Sequence, residues 1–124
     1  MFGKKKEMGI PVMHYEGINQ FAMDYPVRIS INDNFFEIKR LKPETTVTLP
    51  MSRISSFSAM DEKAFMLKYH GQARTTSKSK GISKYYLVVN YDNGMLAFWG
   101  TASEYKRFID LQHKNINSPT NLEL

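Results

Sequence analysis

The sequence predicts a single, mainly β domain closed by one C-terminal helix. Three observations carry that prediction. Apolar residues recur with a period of two in one segment after another, as strands with two distinct faces require. Asp92-Asn93-Gly94 lies between two such segments and supplies residues that accept the positive φ of a tight hairpin. Thr101, followed three residues later by Glu104, opens a stretch of helical periodicity with a capping box.

Taken in order, Val27, Ile29 and Ile31 alternate with Arg28 and Ser30, which gives a half-buried strand over 27–31. Asn32-Asp33-Asn34 suits a turn, and Phe36 and Ile38, alternating with Glu37 and Lys39, complete a first hairpin. Leu41-Lys42-Pro43-Glu44 breaks the pattern before a β-branched third strand over 45–49, which Pro50 ends or holds at an edge. Over 53–57 Ile54 and Phe57 fall out of phase, so a bulge is expected there. A fifth strand is expected over 65–70, with Phe65, Leu67 and Tyr69 on one face, followed by a polar loop over 71–83. Strands over 85–91 and 95–99 make the last hairpin. In the helix, Ala102, Tyr105, Phe108, Ile109 and Gln112 share a face with Leu111 at its margin, a stripe that should pack on the sheet. Residues 1–12 read as a basic flexible tail, 13–113 as the domain, and 114–124 as a polar, proline-broken tail.

The chain of 124 residues is long enough for one domain with a real core. No run approaches the roughly 18 apolar residues of a membrane span. Lys4-Lys5-Lys6 is not followed by an apolar stretch, so no signal peptide is expected, and Gly3 is wrongly placed for myristoylation. The absence of cysteine excludes disulfides, thiol catalysis and iron–sulfur clusters, and a reducing cytoplasm is the expected setting. The net charge of +5 is local. Segment 63–91 holds no Asp or Glu but contains Lys63, Lys68, Arg74, Lys78, Lys80 and Lys84; the remainder carries eleven basic against twelve acidic residues.

Signals for catalysis are weak. His14, His70 and His113 are far apart and lack metal-ligand spacing, so ordinary surface or turn histidines are expected, with no metal and no cofactor. Asp61-Glu62 could supply half of a carboxylate pair, but neighbouring side chains point apart on an extended backbone, and a solvated loop is the plainer reading. Ser52, Ser55, Ser56 and Ser58 carry no nucleophile elbow, and Lys78-Ser79-Lys80-Gly81 lacks a phosphate-loop frame. The basic stretch says more. Lys68, Arg74, Lys78, Lys80 and Lys84 could hold backbone phosphates, with Tyr86 offering a face for a base. Against that stands a solvated loop whose tyrosines anchor strands; alternation leaves only one of Tyr85 and Tyr86 available to a ligand.

Several stretches carry a family resemblance: His14-Tyr15-Glu16-Gly17, the run Lys42-Pro43-Glu44-Thr45-Thr46-Val47-Thr48-Leu49-Pro50, and Phe98-Trp99-Gly100. Together with seven strands before one helix, they resemble small pleckstrin-homology-like (PH-like) proteins of Gram-positive bacteria and their phages, over residues 13–112. The resemblance implies a partly open barrel, or two packed antiparallel sheets, of about seven strands with the helix as lid. It implies no catalytic residue. An oligonucleotide-binding (OB) barrel is the alternative, though its five strands are too few.

Two functions follow as expectations. The first is a non-catalytic, cytoplasmic interaction module of a bacterium or phage, engaging a protein partner through a strand edge or a groove beside the helix. The second is a single-stranded nucleic-acid-binding protein using the basic loop. A homo-oligomer could form through an exposed edge of the fifth or sixth strand.

Overall fold

The computed structural model describes residues 9–32, 34–71 and 83–113. Among them are β1 (Ile10–Glu16), β2 (Tyr25–Asn32), β3 (Phe35–Leu41), β4 (Glu44–Pro50), β5 (Ile54–Asp61), β6 (Tyr85–Tyr91) and β7 (Gly94–Gly100), with helices α1 (Glu62–His70) and α2 (Ala102–His113). The strands form one antiparallel sheet in the order β4-β3-β2-β1-β7-β6-β5. The sheet is not closed, since β4 and β5 end it.

Local chemistry accounts for the connections. β2 and β3 pair as far as Asn32 and Phe35, and β3 and β4 turn through the cis Lys42–Pro43 bond. In the last hairpin Tyr91 pairs with Gly94, so Asp92 and Asn93 form the connection. The positive φ, 144°, falls on Gly94 as it enters β7. Arg53 grips this turn with a fork of hydrogen bonds to the Asp92 carboxylate, at 2.8–3.1 Å. The bulge expected near Ile54 lies between Ile54 and Ser56, where the register with β6 shifts. A second bulge separates His14 from Glu16 in β1.

The inner face of the sheet carries the main core: Val12, Ile29, Phe36, Leu87, Phe98 and their neighbours, under Phe108 of α2. The outer face of the β6 side carries a second cluster, with Phe65 and Met66 of α1 over Tyr86, Val88 and Ala97. Both faces of β6 are therefore covered, which explains its unbroken apolar run Tyr86-Leu87-Val88-Val89.

Three expectations need correction. Residues 65–70 are helix, not strand. Asp61 caps that helix by accepting a hydrogen bond from the Ala64 amide at 2.8 Å, and Gly71 ends it in the left-handed region at φ 70°. Phe65, Met66 and Tyr69 then share its buried side, while Leu67 faces outward at 51% exposure. Residues 10–12, placed in a flexible tail, belong to β1, where Val12 enters the core. Residues 1–8 of that tail and residues 114–124 lie outside the described residues, as do 72–82 of the basic loop. The free sheet edges also differ from expectation: β6 is interior, and the edges are β4 and β5.

The capping of α2 departs from a reciprocal box. One carboxylate oxygen of Glu104 accepts from both the Thr101 amide, at 2.7 Å, and the Thr101 hydroxyl, at 2.6 Å. The docked stripe is Tyr105, Phe108 and Leu111, with Ala102 exposed. Gln112 leaves the core and accepts instead from the Ala59 amide of edge strand β5, at 2.7 Å. Phe108 is the one fully buried side chain of α2. Phe108→Ala should cost about 3–5 kcal/mol in urea unfolding, whereas Ala102→Ser should stay within about 0.5 kcal/mol. Similar costs for both would contradict this docking.

Candidate functional site

On the outer face, Pro11 and Met13 of β1 and Pro26 and Arg28 of β2 alternate with the core residues Val12 and Val27. Trp99 of β7 occupies the matching position. Register sets them side by side: Met13 pairs with Pro26 on one flank and Trp99 on the other, and Pro11 pairs with Arg28. Here the outer face is left open as a groove of about 650 Å³. Leu41 and Lys42 from the end of β3 and Thr101 and Glu104 from the start of α2 complete its walls. Leu41 is 58% exposed, a large apolar side chain left in water.

Trp99 is held at two points. Its indole Nε1–H donates to Asp24 at 2.7 Å, and the Lys84 ammonium stands 4.5 Å from its ring centre. Asp24 takes a left-handed conformation, φ 61°, and its amide donates to the His14 carbonyl at 2.6 Å. Tyr25 donates its hydroxyl to the Lys42 carbonyl at 2.7 Å, pinning the β3–β4 turn beside the groove. For Glu104, burial favours protonation, but the hydrogen bonds from Thr101 outweigh it and hold the carboxyl below its ordinary pKa.

The residues proposed from sequence are not gathered into one site. Lys68 is exposed on α1, with its ammonium 5.7 Å from the Tyr69 ring. Lys84 lies against the Trp99 ring, beside the groove but not among its lining residues. Arg74, Lys78 and Lys80 lie outside the described residues. Tyr86 must be withdrawn as a stacking platform. It is fully buried, stacked on Phe65 with centroids 4.1 Å apart and met edge-on by Tyr15. Its hydroxyl has no hydrogen-bond partner among the described residues, and burial, reinforced by Glu62, drives its pKa up. Tyr85, the other tyrosine of that pair, stacks on Tyr105 at 4.2 Å.

Asp61 and Glu62 are helix residues rather than a loop pair: Asp61 caps α1 and Glu62 is buried. Among the described residues no three of His, Asp or Glu converge as a metal would need. His14 is a core histidine, not a surface one, because loop 17–24 closes over it. Its Nδ1 lies 3.0 Å from the Ala22 carbonyl, and its Nε2 accepts the Ile18 amide at 3.2 Å. That pairing fixes the neutral ring with its proton on Nδ1. His70 reaches Glu16 at 3.2 Å and ties α1 to β1. The groove itself went unforeseen. Its one sequence signal is apolar residues at strand positions whose partners face the core: Pro11, Met13 and Pro26.

No family model, curated protein or solved structure matches the chain.

Burial lowers the His14 pKa from its ordinary 6.5, with the Ala22 hydrogen bond and the Glu16 charge opposing. The unfolded imidazole takes up a proton below that pH, and the folded one resists it. Stability is therefore full above about 6.5 and declines as pH falls below it. Urea midpoints followed from pH 7.5 down to 5 should decrease, and His14→Gln, less stable throughout, should show a flatter profile. An unchanged profile would assign the decline to other groups.

Proposed function

We propose that the protein is a non-catalytic binding module that seats a segment of a protein partner in the groove across β2, β1 and β7. The observation that carries this reading is the groove itself, with an apolar floor of Pro11, Met13, Pro26 and Trp99. Such concave apolar surfaces are where binding energy is available. Covering Leu41 alone would contribute about 1 kcal/mol. Seven strands closed by a C-terminal helix support kinship with PH-like proteins, with α1 added between β5 and β6. A cytoplasmic setting, in a bacterium or the host of a phage, accompanies this reading.

A second reading, single-stranded nucleic-acid binding, is favoured by one feature. Lys68, on α1, and Lys84, immediately before β6, flank residues 72–82 within a segment free of acidic residues. It proceeds without Tyr86 and relies on phosphate contacts.

Selection of peptides from a displayed random library should return binders to the folded protein. Their binding should fall at least tenfold with Leu41→Asp or Met13→Asp, each checked for an intact thermal transition. Binders indifferent to both substitutions, or no binders, would remove the groove from consideration. In parallel, anisotropy with labelled single-stranded DNA over a salt series decides the second reading. Affinity that drops steeply with salt and weakens with Lys78→Ala and Lys80→Ala supports it; no binding at low salt eliminates it.

A further inference from the structure

We propose that the segment taken by the groove is acidic, with carboxylate side chains alternating with bulky apolar ones; this rests on the groove being the binding surface. The inference comes from which charges at the site are already committed. Glu104 is the acidic residue lining the groove, and one of its carboxylate oxygens is held by the Thr101 amide and hydroxyl, which turns that charge toward the start of α2. Asp24, next to the site, is occupied by the Trp99 indole. Arg28 and Lys42 also line the groove and are exposed, and their side chains make no hydrogen bond or ion pair among the described residues. Among the charged residues lining the groove, two exposed cations thus stand against one carboxylate that is already engaged.

Position matters as much as sign. Arg28 pairs across the sheet with Pro11, and Lys42 follows Leu41, so each cation has an apolar neighbour within the groove. An extended peptide places successive side chains on opposite sides, with every second residue returning to the same side. Apolar residues of one parity can therefore enter the floor while carboxylates of the other reach the rim. Nucleic acid fits this surface less well. Phosphates would satisfy the cations, but proline, methionine and leucine give bases no stacking partner, and of the two aromatic residues lining the groove Trp99 already carries Lys84 and Tyr25 is held through its hydroxyl to the Lys42 carbonyl. The shape is an open groove rather than an enclosed cavity, which suits a chain lying across strands better than a buried acyl tail.

Trp99 is the chain's one tryptophan, so its emission reports the groove directly. Three displayed libraries would share random apolar residues at alternate positions. Their intervening positions would be restricted to Asp/Glu, Ser/Gln or Lys/Arg. The acidic library should give the binders, and synthetic peptides from it should shift Trp99 emission and weaken as salt rises. With two exposed pairs formed, they should bind about tenfold tighter than the same sequences carrying Gln. The double variant Arg28→Glu/Lys42→Glu should reverse the preference toward the basic library. If neutral or basic peptides bind equally well and shift Trp99, the acidic preference is wrong and the groove reading stands. If no library yields a peptide that shifts Trp99, both fail. A shift produced by dodecanoate or oligo(dT), with no response to acidic peptides, likewise overturns the proposal and names the alternative ligand.

Discussion

The pairing of β1 with β7 is the constraint on which the rest of the structure depends. The chain builds two antiparallel sets of strands, β1 to β4 and β5 to β7, in each of which sequence neighbours pair, with α1 lying between β5 and β6. The β1–β7 register, Met13–Trp99, His14–Phe98 and Glu16–Ala97, joins them into one sheet. These contacts bring together residues more than eighty positions apart, so the chain must first meet the loop-closure entropy of the intervening segment. What offsets it is concentrated at the seam. Phe98 and Val12 enter the main core there, and the His14 ring meets Phe21 and Phe98 edge-on. Gly17 belongs to the same region. At φ 114° its Cα passes so close to β7 that a Cβ would lie 2.6 Å from the Met95 carbonyl oxygen.

The seam also explains the asymmetry of the outer face. The bulge at Tyr15 turns that ring toward Phe65 and Tyr86 and lets Glu16 reach His70, so α1 is fastened to β1 as well as to β6. The helix nevertheless leaves the strip of Pro11, Met13, Pro26 and Trp99 uncovered. On the inner face Phe108 and its neighbours pack against the main core. One face of the sheet thus supplies stability, and on the other the part nearest the seam retains apolar surface that folding does not bury.

Much of this architecture is legible in the sequence where short-range chemistry governs. The hairpins at 32–35 and 91–94, the bulge after Ile54 and the Thr101–Glu104 cap all follow from residues within a few positions of one another. The expectation of seven strands agrees in number but not in membership. β1 is hard to read because Pro11 and His14 interrupt its alternation. His14 occupies a core position only because a loop carbonyl and amide satisfy its ring. α1 imitates a strand because Phe65, Leu67 and Tyr69 happen to alternate, yet Asp61, Glu62 and Gly71 mark its ends. Tyr86 looks available in a strand taken to be covered on one face. It is not, because α1 covers the other. The groove is invisible for a further reason: its floor is assembled from three strands, one of them contributed by the far end of the chain.

Lys84 connects the feature most prominent in the sequence to the one most prominent in the structure. The basic segment matters at the groove through where its last lysine is placed, over the Trp99 ring at the seam. A cation there does two things at once. It covers part of an aromatic face that would otherwise be exposed, and it contributes positive potential to a groove already bordered by Arg28 and Lys42. The acidic residues nearby have been drawn into structural duties, Glu104 to cap α2 and Asp24 to hold the indole. Structural contacts engage these two carboxylates while Arg28 and Lys42 stay exposed at the rim, so that the interactions which assemble the fold also shape the electrostatic character of its open face.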